Sequence, residues 1–139
     1  MAKDFQSSDE TARFAENLVP QDADSLSPEE QSAVSALPAG SALLIVRRGA
    51  GAGSRFLLDQ DVTVAGRHPD ADIFLDDVTV SRKHAEFLRS GNRFAVSDLG
   101  SMNGTYADGA RVESADLNHG DEVLIGKFRM TFFASDKDR

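Results

Sequence analysis

The sequence predicts an all-β domain of the sandwich or barrel type that follows a polar N-terminal tail. From residue 39 onward, short runs rich in β-branched and aromatic residues alternate with glycine, asparagine and aspartate turn signals. No helical pattern of about 10–15 residues separates these runs, which argues against a parallel α/β sheet. The chain of 139 residues is long enough for one domain plus a tail, with a core that needs no disulfide bonds.

The N-terminal segment, residues 1–38, is predicted to be a mostly disordered acidic tail. It carries eight acidic and two basic residues, a net charge of −6 out of −8 for the whole chain. Polar residues dominate and no apolar alternation persists. Two short segments within it have helical patterns, although neither is long enough to be stable alone. One spans Asp9–Leu18, and the other opens at Ser27-Pro28, where proline occupies the first turn and acidic residues follow at the positive end of the helix dipole.

The domain, placed at residues 39–135, is expected to consist of short strands joined by tight turns. Glycines at 49, 51 and 53, the segment 90–92 and the dipeptide Asp108-Gly109 are turn signals, and Gly126-Lys127 lies inside a closing hairpin. The expected strands are, in chain order, 42–46, 55–58, 62–65, 73–75, 84–88, 93–96, 105–106, 111–112, 122–125 and 128–133.

Composition excludes several classes of function. A net charge of −8 argues against nonspecific binding to nucleic acid or to anionic membranes. The chain has no cysteine, so it has neither a disulfide framework nor a thiolate nucleophile. No apolar run approaches the ~18 residues that span a bilayer, and the acidic N-terminus lacks the apolar segment of a signal peptide. We therefore expect a soluble cytoplasmic protein.

Motifs of cofactor binding and catalysis are incomplete. The 49–53 glycines have the wrong spacing for a dinucleotide fingerprint, and Gly120 with Gly126-Lys127 is one residue too long for a phosphate loop. Asp70 and Asp72 are too sparse for a calcium loop, and the three histidines lack metal-ligand spacing. Ser81, with His84 and Asp98, is not set in a nucleophile elbow. No cofactor, metal or catalytic residue is predicted.

Three clusters carry the residue types of a phosphate cradle. Arginine offers a planar fork of donors that matches phosphate oxygens, and serine adds a hydroxyl donor. Backbone N–H groups in glycine turns can complete an anion nest, and asparagine can clamp a peptide backbone. All three clusters lie in loops at strand ends, where binding residues concentrate. They are Gly66-Arg67, Ser81-Arg82-Lys83-His84 and Gly100-Ser101-Met102-Asn103-Gly104-Thr105.

In order and spacing, these clusters resemble the forkhead-associated (FHA) domain over about residues 40–134. The resemblance implies a two-sheet β-sandwich of about eleven strands whose apical loops bind phosphothreonine peptides. It implies that Arg67 and Ser81 bind the phosphate and that Asn103 bonds the main chain beside the phosphothreonine. Arg82 then contacts residues downstream, a contact that Lys83 can share.

The resemblance also assigns supporting roles. Gly66, His84 and Gly104 are expected to brace the binding loops. Many members have a hydroxyl residue just before the asparagine, where this chain has Met102. The hydrogen bond from that position is lost, and Ser101 or a backbone N–H is the expected replacement.

Five longer segments resemble a bacterial subgroup that contains the glycogen accumulation regulator and the oxoglutarate dehydrogenase inhibitor. They are PAGSALLIVRRG, RFLLDQ, AGRHPDADIFLDDVTVSRKHAEF, GSMNGTY and GDEVLIGKFR. In that subgroup the N-terminal tail is phosphorylated on threonine by Ser/Thr kinases, folds onto its own domain and shuts it off. The unphosphorylated protein inhibits 2-oxoglutarate dehydrogenase and affects glutamate metabolism. The expected partners are phosphothreonine proteins including those kinases, the protein's own tail and these metabolic enzymes.

Thr11 is the candidate phosphorylation site in the tail. Phe14 lies at the third position after it, as in the subgroup, but this chain has one threonine where the subgroup has two. A one-site switch is therefore expected. The about 27 positions between Thr11 and Pro38 would span roughly 30 Å as a flexible chain, which is comparable to the size of a small domain.

Three functions remain to be distinguished. The first is a kinase-switched regulator of a metabolic enzyme. The second is an adaptor that docks phosphorylated kinases or their substrates and uses the tail only as a linker. The third is an enzyme acting on phosphate esters, which the absence of a metal-site motif and of an activated nucleophile disfavours.

Overall fold

The computed structural model of the protein describes residues 26–139. The part of the chain from Ala33 to Arg139 forms one compact unit, and Met1–Ser32 is assigned to another. One α-helix, α1, spans Pro28–Ser35, and a short 3₁₀ helix spans Asp136–Asp138. The strands are β1 (Ala42–Val46), β2 (Arg55–Leu58), β3 (Val62–Gly66), β4 (Ile73–Phe74), β5 (Ala85–Ser90), β6 (Arg93–Asp98), β7 (Thr105–Ala107), β8 (Ala110–Val112), β9 (Ser114–Leu117), β10 (Glu122–Ile125) and β11 (Phe128–Ala134).

These strands form two sheets, which confirms the expected all-β sandwich. One sheet has five strands in the order β9-β6-β5-β3-β4, and the other has six in the order β2-β1-β11-β10-β7-β8. Neighbouring strands are antiparallel except for β3 and β4, where Ala65 pairs with Ile73 in a parallel arrangement. The eleven strands of the described residues agree with the number that the family resemblance implies.

The predicted turns join the strands as expected. Asp108 and Gly109 both have positive φ angles, 49° and 87°, in the two-residue hairpin between β7 and β8. Such a primed turn matches the twist of the flanking strands, which is why this dipeptide favours it. Gly126 and Lys127 close the hairpin between β10 and β11, in which Ile125 pairs with Phe128.

One strand, β9, was not expected. Its sequence, Ser-Ala-Asp-Leu, has little β propensity and buries only Leu117. It pairs with the longer strand β6, so that Ala115 lies opposite Val96 and Leu117 opposite Phe94. Backbone hydrogen bonding along the edge of an existing sheet makes the strand, because alternation this weak cannot specify it alone.

The core lies between the two sheets. Its largest fully buried side chains include Phe87, Phe132, Leu44 and Met130. Phe94 and Phe132 meet with ring centroids 5.5 Å apart, in a tilted aromatic pair across the sandwich. A packed interior of this kind gives the loops at the sandwich end a rigid base.

The described part of the expected tail contains a helix, as the second helical patch predicted. Ser27 and Glu30 form a capping box: the Ser27 hydroxyl accepts from the Glu30 N–H at 3.1 Å, and the Glu30 carboxylate accepts from the Ser27 N–H at 2.9 Å. Val34 and Leu37 are buried. This helix lies within the segment 1–38 that is expected to be mostly disordered, and its capping box and the burial of Val34 stabilise it. The first patch, Asp9–Leu18, lies outside the described residues.

None of the helices between Leu26 and Arg139 has the length and apolar character that crossing a bilayer requires.

Candidate functional site

Three loops meet at one end of the sandwich, which we call the apical end. They follow β3, precede β5 and follow β6, and they contain residues 67–72, 75–84 and 99–104. The Arg67 N–H donates to the Ser81 carbonyl at 2.9 Å, and the Met102 N–H donates to the Ser81 hydroxyl oxygen at 3.0 Å. The three sequence clusters are therefore in direct contact, although they are separated along the chain.

Gly66 permits the closest approach between two of these loops. A Cβ atom at this position would collide with the Arg82 carbonyl group and lie 2.8 Å from its carbon. The Gly66 carbonyl accepts from Leu75 N–H at 2.9 Å, and the His68 N–H donates to the Arg82 carbonyl at 3.2 Å. Glycine is required here for space, since any side chain would push the Ser81-Arg82 loop away from β3.

His84 connects the loop of Ser81 to the loop of Gly104 through its buried imidazole. Its imidazole is fully buried. Nδ1 accepts from the Ser81 N–H at 3.1 Å, and Nε2 lies 2.8 Å from the Gly104 carbonyl, which it can reach only as a donor. These contacts require the neutral tautomer with the proton on Nε2. The backbone of His84 also bonds Ala65 and Leu99, so this residue connects its own loop to the end of β3 and to the loop 99–104.

Arg67 and Ser81 present unused donors at this end. Arg67 is exposed, and within residues 26–139 its guanidinium has no hydrogen-bond or ionic partner. The Ser81 hydroxyl oxygen already accepts from Met102, so its own proton is free to point at a ligand. The Arg67 N–H donates to the Ser81 carbonyl, so the backbones that carry these two side chains are hydrogen-bonded to each other. A phosphate between them would receive a bidentate charged contact and a hydroxyl donor.

Asn103 is oriented by the loop before Ser81. Its Nδ2 donates to the Thr79 carbonyl at 2.9 Å, which leaves Oδ1 without a partner among the described residues. The Thr79 hydroxyl in turn donates to Asp77 at 2.5 Å and accepts from the Lys127 N–H at 3.1 Å. The Lys127 ammonium lies 2.7 Å from the Asp77 carboxylate. Hydrogen bonds from Lys127 and Thr79 lower the pKa of Asp77 to about 2.

Asp98 organises the loop that carries Asn103. Its carboxylate accepts from the Ser101 hydroxyl at 2.5 Å and from the Thr105 hydroxyl at 2.7 Å, as well as from two backbone N–H groups. Burial acts to raise the pKa of Asp98, but these hydrogen bonds outweigh it and leave the pKa below its ordinary value. The Ser101 oxygen also accepts from the Gly104 N–H at 2.9 Å.

This network bears on the expected replacement for the missing hydroxyl residue at position 102. The Ser101 hydroxyl is buried and donates to Asp98, so it braces the loop and its proton does not face solvent. The Met102 side chain is 85% exposed, and its N–H is bonded to Ser81. Of the N–H groups of residues 100–104, that of Asn103 is the one without an acceptor in the described part of the chain. It is the backbone donor that the loop still offers.

Arg82 and Lys83 lie at one side of the apical end. Both are exposed, and neither has a charged partner in the part of the chain that the structure describes. They line a cavity of about 370 Å³ together with Val64, His68, Asp70, Ala71 and Asp72. The lining of this cavity thus combines side chains of both charge signs with the apolar Val64 and Ala71.

The sequence had no signal for several supporting residues. Thr79, Asp77 and Lys127 act through contacts between loops that are about 50 positions apart, and nothing in their local sequence predicts those contacts. Asp98 has a local signal that was missed: an aspartate three positions before a serine, with glycine between them, is typical of an Asx turn. Thr11 lies outside the described residues. No cluster of side chains that could hold a metal ion occurs within residues 26–139.

Comparison with known proteins places this geometry in a family. The family model of the FHA domain matches residues 63–126. The oxoglutarate dehydrogenase inhibitor of Corynebacterium jeikeium is 61% identical over 105 residues, which cover 76% of this chain and 73% of that protein. The glycogen accumulation regulator GarA of Mycolicibacterium smegmatis is 64% identical over 106 residues, covering 76% and 67%.

Solved structures agree with these relatives. A chain from a study of phosphothreonine-dependent FHA domain interactions superposes with a TM-score of 0.62 at 31% identity, covering 67% of this chain and 95% of that one. Mycobacterium tuberculosis EmbR in complex with a low-affinity phosphopeptide has a TM-score of 0.63 at 33% identity, covering 68% and 24%. From the clusters at the apical end, the two-sheet fold and these relatives, it follows that the chain belongs to the FHA-domain family.

Proposed function

We propose that this protein is a phosphothreonine-peptide-binding regulator controlled by a protein kinase. The observation that carries the proposal is the meeting of Arg67, Ser81 and Asn103 at one end of the sandwich. The Arg67 guanidinium, the Ser81 hydroxyl proton and the Asn103 amide oxygen have no partner among the described residues. Arginine forks and a hydroxyl proton match the dianionic phosphate, and the free Asn103 amide oxygen suits the N–H of an extended peptide.

In this proposal the target of the unphosphorylated protein is a metabolic enzyme. Two relatives above 60% identity are named for the inhibition of oxoglutarate dehydrogenase and the regulation of glycogen accumulation. We infer that this chain binds and inhibits 2-oxoglutarate dehydrogenase or an enzyme of glutamate metabolism. The names of these relatives describe regulators, which supports a role without catalysis. A cytoplasmic location stays a prediction.

Phosphorylation of Thr11 provides the switch. It adds nearly two negative charges to a segment that already contains Asp9 and Glu10, and the pocket at Arg67 and Ser81 offers complementary charge. Because the segment belongs to the same chain, its local concentration would be on the order of millimolar. The bound tail would cover the apical loops and exclude external partners.

The experiment that tests the proposal is an affinity capture with the unphosphorylated and the Thr11-phosphorylated protein, read by mass spectrometry. A dehydrogenase or glutamate-metabolism enzyme should be retained by the first and lost from the second. Purified 2-oxoglutarate dehydrogenase should then be inhibited by the unphosphorylated protein alone. If neither form captures such an enzyme, the regulatory part of the proposal is wrong.

The alternative is a general adaptor that docks phosphorylated Ser/Thr kinases or their substrates. One solved FHA structure supports it: FhaA was crystallised with the intracellular domain of Rv3910, and its FHA domain superposes with a TM-score of 0.60 at 30% identity. The same capture separates the two functions. An adaptor would retain phosphoproteins, and phosphatase treatment of the extract would abolish their binding, whereas a regulator that reads no phosphate on its enzyme would be unaffected.

A further inference from the structure

Arg111, on strand β8, places its guanidinium against the backbone of the loop that carries Asn103. Gly104 has a φ angle of +86°, and a Cβ atom there would lie 2.6 Å from Nε and 2.9 Å from Cζ of Arg111. The Arg111 side chain therefore lies in the space that the missing Cβ of Gly104 leaves open. The position of the Arg111 backbone is set by the hairpin register, in which Arg111 pairs with Tyr106.

The charge of Arg111 is not neutralised within the domain. The residue is exposed, and its guanidinium forms no hydrogen bond or ion pair with any residue from 26 to 139. The guanidinium fork matches a carboxylate in a bidentate geometry. Arg111 is thus a cationic donor that lies beside the loop of Asn103 and has no acceptor among residues 26–139.

Arg111 and Arg82 lie on opposite sides of the apical end. Strand β8 is the edge of the six-stranded sheet, and Glu113 alone separates it from β9, the edge of the five-stranded sheet. Strand β4 forms the opposite edge of that second sheet, and the cavity beside Arg82 lies there. The segment between the two arginines includes Ser81, which directly precedes Arg82 and whose hydroxyl accepts from the Met102 N–H of the loop 102–104.

The flanks of Thr11 differ in charge in a way that fits these two sides. Asp9 and Glu10 precede Thr11 directly, whereas Arg13 follows it at the second position. The side with the unpaired Arg111 complements the two acids. The cavity at the other side contains Asp70 and Asp72 as well as Arg82 and Lys83, so its two carboxylates can pair with the arginine. Both charge pairings form at the same time if the peptide crosses the loops with Asp9 and Glu10 near Arg111 and with Arg13 near the cavity.

We propose that Arg111 is a specificity-determining residue of the phosphopeptide site, which binds an acidic side chain preceding the phosphothreonine. The inference rests on the proposed function, because it requires that a phosphopeptide binds at Arg67 and Ser81. It adds that the site selects peptides with aspartate or glutamate immediately before the phosphothreonine, and that Arg111 makes this selection.

The test is a double-mutant cycle, measured by calorimetry on the full chain. One peptide has the sequence around Thr11 with phosphothreonine and both acids, and a second has Asp9→Asn and Glu10→Gln. The protein variants are Arg111→Gln, Arg111→Lys and, as the control for loss of one positive charge, Arg93→Gln. Arg93 is exposed at the far end of β6, since the other end of that strand leads into the apical loop.

Arg111→Gln should bind the acidic peptide about three- to tenfold more weakly and the neutral peptide with unchanged affinity. Arg111→Lys should lie between, because it keeps the charge and loses the fork. Arg93→Gln should change neither. Equal losses for both peptides, or no loss for the acidic one, would overturn the role of Arg111. If the wild-type protein binds the neutral and acidic peptides equally well, the selection is absent; if it binds neither, the proposed function fails as well.

Discussion

At the scale of single residues, some side chains of the candidate site have hydrogen-bonding groups available for a ligand, whereas others use them within the protein. The Arg67 guanidinium has no partner in the described part of the chain, and the Ser81 hydroxyl keeps its proton available. The Ser101 hydroxyl, in contrast, donates to Asp98 and stabilises the loop that carries Asn103. The two serines therefore have different roles: the Ser81 hydroxyl can donate to a ligand, whereas the Ser101 hydroxyl donates within its own loop.

Replacing Arg67 by alanine should weaken binding of a phosphothreonine peptide by roughly 2–4 kcal/mol, because a charged bidentate contact is lost. Stability should be almost unchanged, since the side chain is exposed. Calorimetric titration beside thermal unfolding measures both quantities, and Arg93→Ala serves as the control. Wild-type affinity in Arg67→Ala would contradict the phosphate assignment.

Replacing Ser81 by alanine should cost about 1–3 kcal/mol of phosphopeptide affinity. The variant loses the hydroxyl proton for the ligand and leaves the Met102 N–H, now bonded at 3.0 Å, without its acceptor. Ser81→Thr keeps both functions of the hydroxyl and should retain most of the affinity. Affinity that is equally weak in the threonine variant would indicate a steric role for Ser81 and no role for its hydroxyl.

Acid should destabilise the domain partly through Asp77. Its pKa is about 2 in the fold against an ordinary 3.8, so the ionised form contributes stability that is complete above the ordinary value and is lost as pH falls from about 4 toward 2. Asp77→Asn should therefore be less stable than the wild type near neutral pH, and the difference should narrow on acidification. Urea unfolding between about pH 6 and about pH 3 tests the sign; a difference independent of pH would exclude ionisation as the cause.

At the scale of elements, the site depends on close contacts between loops and strand ends. The end of β3 touches the Ser81-Arg82 loop at Gly66, and the turn between β10 and β11 touches the same loop from the other side. A Cβ at Gly126 would lie 2.7 Å from the Val80 side chain. Two glycines thus allow this loop to be held on both sides, which explains how an irregular segment presents Ser81 in a fixed position.

Gly66→Ala should lower both stability and phosphopeptide affinity. The added methyl group would meet the Arg82 carbonyl group, and relieving that overlap should cost about 1–3 kcal/mol in the free energy of unfolding. Gly49→Ala is the comparison, because its φ of +81° makes alanine unfavourable while no atom lies within 4 Å of the added Cβ. That variant should lose stability and keep its affinity. Equal affinity in both variants would mean that the Gly66 contact does not position Ser81.

At the scale of the whole molecule, the proposed switch joins the acidic N-terminal segment to the apical end of the domain. Residues 1–38 carry most of the net charge of −8, and exposed cations at the apical end include Arg67, Arg82, Lys83 and Arg111. An intramolecular ligand needs only modest intrinsic affinity, since tethering supplies its concentration. The acidic tail is thus complementary in charge to these apical side chains, although the domain as a whole is also slightly acidic.

Phosphorylation of Thr11 should make the protein at least about tenfold weaker toward an external phosphothreonine peptide, because the tethered group competes on the order of millimolar. The loss should not depend on protein concentration, which separates an intramolecular contact from dimer formation. A Thr11→Val protein treated with the same kinase is the control. Backbone NMR should show shifts at Arg67, Ser81 and Asn103, and unchanged spectra of these residues would contradict self-recognition.

The all-β class, most strand positions and the residue types of the site can be predicted from the sequence alone. Local signals suffice for these: alternation, glycine turns and the Asp108-Gly109 hairpin each act within a few residues. Tertiary contacts, in contrast, make Ser114–Leu117 a strand, direct the Ser101 hydroxyl into its own loop and bring Arg111 next to Gly104. Each of these depends on contacts between distant segments, such as the bond from His84 to Gly104 across 20 positions, and no local pattern encodes such a contact.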